Sequence, residues 1–488
     1  MHAFAFGLLR TTLIAASFAA LASCAAPPQD ASGVLARASE AMGSTGLETL
    51  RYSAEGIGYT FGQAYHPGGA WPKITLQSVT RSIDYRSGTM RDEIVLSRAE
   101  PLGGGGYPLS GQQRNDQFVS GEIAWNQAGG TATPGPRFVT ERIQQLWITP
   151  HGALKAAMRA NAGARPGDAG ASVVAFDVAG RFTARMTIGA DGLVRQVDST
   201  FSDPVLGDTQ VVTSYDDYRA VDGIRFPMRV HQTMGGFPVL DLAVKDVQVN
   251  PALDVPIPDA ARNTAERVTT EKVADGVWFL AGGSHNSVAI ELQDRLILVE
   301  APLNDMRTQA VFGQARLLAP GKPIRTVVNS HVHFDHSGGV RAAVAAGAEI
   351  VTQADNVPYF ERALAQPSTI RPDAFARSAW KPIFRGVVDR LDIGDATHPV
   401  EVYRIVGSPH NDAFVMVYLP REKLLIEADS FTPPPPNTPP PAVANANNVN
   451  LADNIERLKL AVDRILPLHG RVVPAAELYV ATQRTPPS

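Results

Sequence analysis

The chain is nearly without cysteine: a single one, Cys24, in 488 residues. No disulfide can close within it, and no zinc site can be built from its thiolates. An excess of positive charge is also missing. Lysine and arginine number 44 against 48 acidic residues, a net charge of -4, so no basic face argues for nucleic acid. No apolar run reaches the roughly 20 residues that a spanning helix needs. No internal repeat with a period of roughly 20 to 50 residues is visible. What remains is 44% hydrophobic and 19% charged, the composition of a folded protein too long for one core.

The position of the lone cysteine is informative. Arg10 is followed by an apolar run, Thr11 to Ala22, and then by small residues. This is the layout of a secretory signal. "LASC", Leu21 to Cys24, resembles the bacterial lipobox. That resemblance implies a signal peptide over 1–23, cut before Cys24, and a lipid on Cys24. Each buried methylene of such a lipid contributes about 0.8 kcal/mol of membrane binding. The expected location is therefore periplasmic and lipid-anchored, and Ala25 is compatible with the outer membrane.

Residues 24–255 read as a mainly antiparallel β domain. "ASGVLARASEAMG" is helical in pattern, with Val34, Leu35 and Ala38 on one side, and "PHGALKAAMRA" predicts a second helix. Elsewhere period 2 dominates. Phe182, Ala184, Met186 and Ile188 alternate with polar neighbours, a turn follows at Asp191-Gly192, and Ile224, Phe226, Met228 and Val230 repeat the pattern. "GGGG" at 103–106 reads as loop. "SYDDYRAVDGIRFPMRV" and "LARASEAMG" resemble the periplasmic lipoprotein-sorting carriers, which implies a curved open sheet wrapped around a helix. A Pro-rich linker spans 256–268.

From 269 to 488 the pattern changes. Short apolar strands such as "VWFLAGG", "SVAIEL" and "RLILVEAP" alternate with helical stretches, which predicts a layered α/β domain. Leu451, Ile455, Leu458, Val462 and Ile465, spaced 4, 3, 4 and 3 apart, predict one amphipathic helix. After the strand "IRTVVNS" comes "HVHFDHSGG", with three histidines and an aspartate within six positions. His331 and His333 fall on one side of an extended chain. Bringing His336 to the same place needs a bend, which Gly338-Gly339 would permit. Strand ends of open sheets are where sites gather, and His410, Asp429 and His469 each follow a strand-like run.

This set resembles the metallo-β-lactamase superfamily, whose fold is an αββα sandwich. The resemblance implies two zinc ions per chain. His331, His333 and His410 would hold the first, and Asp335, His336 and His469 the second, with Asp429 bridging. Paired zinc ions make hydroxide available near neutral pH, with Asp335 taking part in proton transfer. The bond attacked would be an ester, lactone, thioester, amide or phosphoester in a small-molecule substrate. Histidine at 333 favours zinc over the di-iron members, which carry glutamate there. The absence of a ligand cysteine separates the chain from the best-known lactamase branch. Asp429 places it nearer the lactonase, glyoxalase-II and phosphodiesterase type. Glu300 stands where the family usually has an aspartate and is read as orienting a ligand. Two other readings are a carrier lipoprotein for an apolar ligand and a metal-dependent oxidoreductase.

His285 and Asn286 end a strand near the expected mouth of the site. His66, His151, His231 and His398 lack a partner pattern and read as surface or packing residues, and Tyr418 as core. "FTPPPPNTPPPAVANANN", 431–448, is stiff in the polyproline form and reads as a lid or a connector. The lipobox reading has a direct test. Cys24→Ser is expected to move the protein from the membrane pellet to the soluble fraction on cell fractionation; a variant still membrane-bound after a salt wash would refute it.

Overall fold

The computed structural model describes residues 29–99, 111–160, 162–263 and 265–485. The signal segment, Cys24 and the glycine tract at 103–106 lie outside the described residues.

Residues 29–249 supply one sheet of fourteen strands. From Gly163–Pro166 to Phe237–Val249 each strand pairs antiparallel with the next. Phe237–Val249 then pairs with Thr49–Tyr59, and the meander continues to Thr131–Pro134. Alternation assigns the faces: Phe182, Ala184, Met186 and Ile188 are buried while Thr183 and Arg185 are exposed. The helix Val139–Trp147 touches Thr89–Arg98 and Gln112–Ser120 as well as Val194–Asp203. These strands are far apart in the sheet order, so the sheet curls around the helix. Pro150–Arg159 packs beside it and Ser32–Met42 against Pro150–Arg159, and Leu35, Ala38, Met42, Leu146 and Leu154 share a core with Val174, Met186 and Phe226. His151 is part of that core, accepting or donating at Ser44 Oγ (2.6 Å) and stacked on Phe226. The Pro-rich linker is not loose chain: its single helical turn, Asp259–Arg262, buries Ala261 against Phe118 and Trp125.

The second half is a sandwich of two sheets. The first runs Thr269–Ala274, Val277–Ala281, Ser287–Glu291, Leu296–Val299, Ile324–Val328, Glu349–Gln353 and Phe384–Val387. Its pairings are parallel from Leu296–Val299 onward. The second runs Arg390–Asp392, Glu401–Arg404, Val415–Leu419, Leu424–Glu427, Arg464–Pro467 and Val473–Pro474. Val288, Ile290, Ile297 and Val299 face the second sheet and its Val402, Val417 and Ile426. Ala289, Leu296, Leu298 and Val327 face the helices Asp305–Leu318, Val340–Ala345 and Val357–Ala365. Burial on both faces accounts for the unbroken apolar runs in these strands.

Two local expectations are corrected. The spacing through Ile465 predicts one long helix, but the helix Ala446–Leu458 ends at Lys459, whose φ of 56° closes it in the left-handed region. Ile465 belongs to a strand; a helix face and a buried strand both demand apolar residues, and the spacing alone does not separate them. The bend after His333 is also made differently. It is a helical turn, Phe334–Ser337, that begins before the glycines. Gly338 and Gly339 have ordinary negative φ and serve close approach instead. A Cβ on Gly339 would lie 1.8 Å from Thr308 Oγ1 and 2.7 Å from the Ala301 carbonyl.

Gly339→Ala is therefore expected to destabilise the second domain by roughly 1–3 kcal/mol through overpacking. Gly313→Ala is the control, since Gly313 lies in a helix and its Cβ would meet nothing within 4 Å. That change is expected to be neutral or to stabilise by up to about 1 kcal/mol. Thermal unfolding of both variants checks the pair; equal midpoints would refute the packing role.

Candidate metal centre

The metal-binding candidates hang from strand ends on one edge of the sandwich. Ile324–Val328 leads to His331, His333, Asp335 and His336, Glu401–Arg404 to His410, Leu424–Glu427 to Asp429, and Arg464–Pro467 to His469. The structure brings all seven together. Their potential ligand atoms form two groups, each within 4.8 Å: His331, His333, His410 and Asp429, and His285, Asp335, His336 and His469. Asp429 reaches both groups, with Oδ2 2.8 Å from His410 Nε2 and Oδ1 2.8 Å from His469 Nε2.

The hydrogen bonds on the far side of each ring decide what the near side offers. His336 Nδ1 donates to Glu300 Oε2 at 3.0 Å, and His469 Nδ1 to the Ser284 carbonyl at 3.2 Å. Ser330 Oγ donates to Glu300, so it accepts from His331 Nδ1 at 2.9 Å. His333 Nε2 donates to the Ala64 carbonyl at 3.0 Å. A neutral imidazole with one nitrogen donating has a lone pair on the other. When these rings are neutral their inward atoms are lone pairs, and the inward nitrogens crowd: His331 Nε2 lies 3.2 Å from His410 Nε2, and His336 Nε2 lies 3.0 Å from His469 Nε2. His333 Nδ1 is buried with no hydrogen-bond partner. Converging nitrogen lone pairs with two carboxylates form a donor set suited to a borderline cation such as zinc.

The electrostatics agree. Burial pushes the His331 imidazole down to about 3 and that of His285 down to about 4, and holds His333 well below its ordinary value. These rings stay neutral, as ligands must. Burial also opposes charge on His336 and His469, but the Asp429 carboxylate outweighs it and both are raised. Asp335 and Asp429 are partly buried, and the lost solvation works against ionisation. The charge of nearby His336 nevertheless keeps both well below the usual carboxylate range. The centre therefore stabilises positive charge between two ionised carboxylates.

Some partners are not legible in the motif. Glu300 is fully buried, and its Oε1 accepts from Asn329 Nδ2 at 3.1 Å. Its φ of 75° places a non-glycine residue in the left-handed region beside the site. His285 Nε2 sits 3.0 Å from Asp335 Oδ2, nearer than a pocket-lining role requires. Gln63 Nε2 donates to Asp335 Oδ1 at 2.7 Å, and Ala64 supplies the carbonyl on His333. Both come from the first domain, in a stretch with no chemical pattern. Among the minor candidates, Asn286 is buried and donates to the Pro467 and Gly470 carbonyls, and Tyr418 donates to the Ala461 carbonyl. Neither contacts the centre through those bonds. His398 is buried and bonds the Asp275 carbonyl, His231 pairs with Asp241 on the sheet surface, and His66 pairs with Asp412. The proline-rich segment walls a cavity of about 1000 Å³ that reaches His410 and is also lined by Arg471 and Val480.

Residues 280–469 match the model of the Metallo-beta-lactamase superfamily, so a domain of that superfamily lies in the second half of the chain. Over 175 residues the chain is 26% identical to the alpha subunit of 2,4-dinitroanisole O-demethylase from Nocardioides sp. (strain JS1661), a match covering 36% of this chain and 49% of that protein. The chain thus spans about half the length of that curated relative. Similar solved structures include a metallo-beta-lactamase from Pontibacter korlensis, at 16% identity and a TM-score of 0.35, covering 44% of this chain and 98% of that one. Metallo-beta-lactamase FIM-1 from Pseudomonas aeruginosa is 20% identical with a TM-score of 0.34, covering 45% and 95%. One from Hirschia baltica is 19% identical with a TM-score of 0.34, covering 45% and 97%.

Glu300 offers a specific test of the outer hydrogen bonds. Glu300→Gln keeps the shape but removes the carboxylate that Ser330 and His336 share. Metal affinity is expected to fall roughly 10- to 100-fold, read by competition with a chelator of known affinity. An unchanged affinity would reduce Glu300 to a packing residue.

Proposed function

We propose that the protein is a dizinc hydrolase acting on a small molecule through an ester, lactone, thioester, amide or phosphoester bond. The observation that supports this most directly is the convergence of seven histidine and aspartate side chains whose outward nitrogens, on four of the rings, are tied to acceptors. His331, His333 and His410 would hold one ion, Asp335, His336 and His469 the other, and Asp429 would stand between them. When bound, the zinc ions supply Lewis acidity and a water acidified to near neutrality.

The chain's own groups do the rest. Asp335 is held at one oxygen by Gln63 and at the other by His285. It is the group placed to take a proton, with His285 Nε2 next to it to share the proton. Substrate enters through the cavity beside His410, where proline rings of residues 434–436 and 439–441 form one wall. Such a wall offers no ligand atom, displaces water and strengthens the electrostatic interactions inside. The site of action, on the sequence reading of Cys24, is the periplasmic face of a membrane, the lipid-anchored outer membrane form being the one proposed.

Purified protein lacking the lipid is expected to hold about two zinc ions by elemental analysis. It should hydrolyse at least one class in a panel of esters, lactones, thioesters, amides and phosphodiesters. An aryl methyl ether belongs in the panel because the demethylase relative is named for that bond. Asp429→Ala removes the carboxylate between the two groups and is expected to lower kcat by about 10²-fold or more, with loss of zinc. Full activity after metal stripping would overturn the reading. Iron as the functional metal, with oxygen uptake, would favour an oxidoreductase instead.

A further inference from the structure

We propose that the first domain is a working part of the metal centre: its 60–72 loop holds the metal-binding turn, with Gln63 and the Ala64 carbonyl as positioning groups for Asp335 and His333. The proposal rests on the reading that residues 331–336 hold metal. It assigns a role to a domain that lies before the superfamily match.

Three sets of contacts carry it. The first is an aromatic grip. Phe334 stands between His333 and Asp335, and its ring turns to the first domain. It meets Phe61 edge-on at 5.1 Å and Trp71 at 5.7 Å; Trp71 in turn meets Phe237 of the sheet at 5.3 Å. The loop comes so close that a Cβ on Gly62, at φ 81°, would lie 2.5 Å from that ring. The Gly62 carbonyl accepts from Phe334 N at 3.1 Å. The metal-binding turn is therefore pinned at its middle residue, by side chain and backbone, to another domain.

The second set reaches the ligands themselves. A backbone carbonyl only accepts, so the bond from His333 Nε2 to Ala64 fixes the ring with its hydrogen on that side. Nδ1, buried and otherwise unpartnered, is left to face His331 and His410, whose rings lie 4.3 and 4.5 Å from that of His333. Gln63 holds Asp335 Oδ1 in the same way, which leaves Oδ2 toward His285 and His336. Partners of this kind, behind a ligand, commonly set metal affinity.

The third set joins the two halves of the first site. The Ala64 carbonyl also accepts from Asn411 Nδ2 at 3.0 Å. Tyr65 OH donates to the Ser408 carbonyl at 3.0 Å, and Asp412 N donates to the Tyr65 carbonyl at 3.2 Å. Residues 408–412 carry His410. One loop thus spans the turn with His333 and the turn with His410, and sets the distance between them. Plain domain packing would be satisfied by the aromatic cluster alone. It would not require polar groups aimed at two ligand side chains.

The test uses the full-length chain and two ions, zinc and cobalt(II), the latter for its visible spectrum. Gln63→Met keeps length and removes the donor. Phe334→Leu keeps an apolar filling and loses the edge contacts. Each is expected to weaken metal binding about 10-fold and to change the cobalt absorption, while the metal-free thermal midpoint of Gln63→Met stays at the wild-type value. If Phe334→Leu fails to fold, Gln63→Met decides alone. Wild-type affinity and an unchanged cobalt spectrum in Gln63→Met would overturn the proposal and leave the metal reading intact. A wild-type protein that binds neither ion would instead sink the metal reading, and this proposal with it.

Discussion

Two partly buried carboxylates among six imidazoles set the terms for the rest of this structure. Asp335 and Asp429 are held ionised in a partly buried place, and a third carboxylate, that of Glu300, lies fully buried behind His336. Isolated charges in such a place would cost several kcal/mol each. Positive charge must therefore sit between them, and the raised His336 and His469 mark where it is favoured. A dication at the same point satisfies the carboxylates and, in addition, the inward lone pairs of neutral rings. Metal binding is then coupled to proton release from the histidines.

This electrostatic demand explains why the scaffold is rigid where it is. Four loops bearing the proposed ligands leave strands packed inside the sandwich, one strand in the first sheet and three in the second. Small shifts of one sheet against the other would separate nitrogens that must meet within a few ångströms. The close packing at Gly338 and Gly339 against Leu303, Ala301 and Thr308 removes one such freedom, and the left-handed Glu300 removes another. Strain of this kind costs roughly 1–3 kcal/mol per residue and persists only where its surroundings over-determine it.

Much of this was legible in the residues, for identifiable reasons. His331, His333, Asp335 and His336 are close in sequence, so local geometry alone predicts that they share a site. His410, Asp429 and His469 were readable because each follows an apolar run at a strand end. The layered α/β class of the second half followed from strands too uniformly apolar to have a solvent face. The limits are as physical. Val462 and Ile465 continue a helical spacing by coincidence, since burial imposes the same residue types on helix and strand. The glycines after His336 read as a hinge because φ freedom and lack of a Cβ leave the same letter in the sequence. His285 was placed near the mouth but not against Asp335, because nothing in "GGSHNS" fixes which way the ring turns.

The contacts from the first domain were illegible for a deeper reason. Gln63 and Asp335 are 272 residues apart, and the partner of His333 is a backbone carbonyl. A carbonyl is present at every residue, so its use leaves no signature. Trp71 belongs to the first domain's core and Phe61 packs against it, so neither carries a chemical mark in the sequence. Yet the same loop touches the turns that carry His333 and His410. Any displacement of the curled sheet against the sandwich would carry Gln63 and Ala64 with it and change both ligands together. The two domains also meet where Thr369 donates to Asp208, but among these contacts only the 60–72 loop touches the turns with His333 and His410, so on this proposal a domain with no chemistry in its sequence gains a chemical role from where that loop ends.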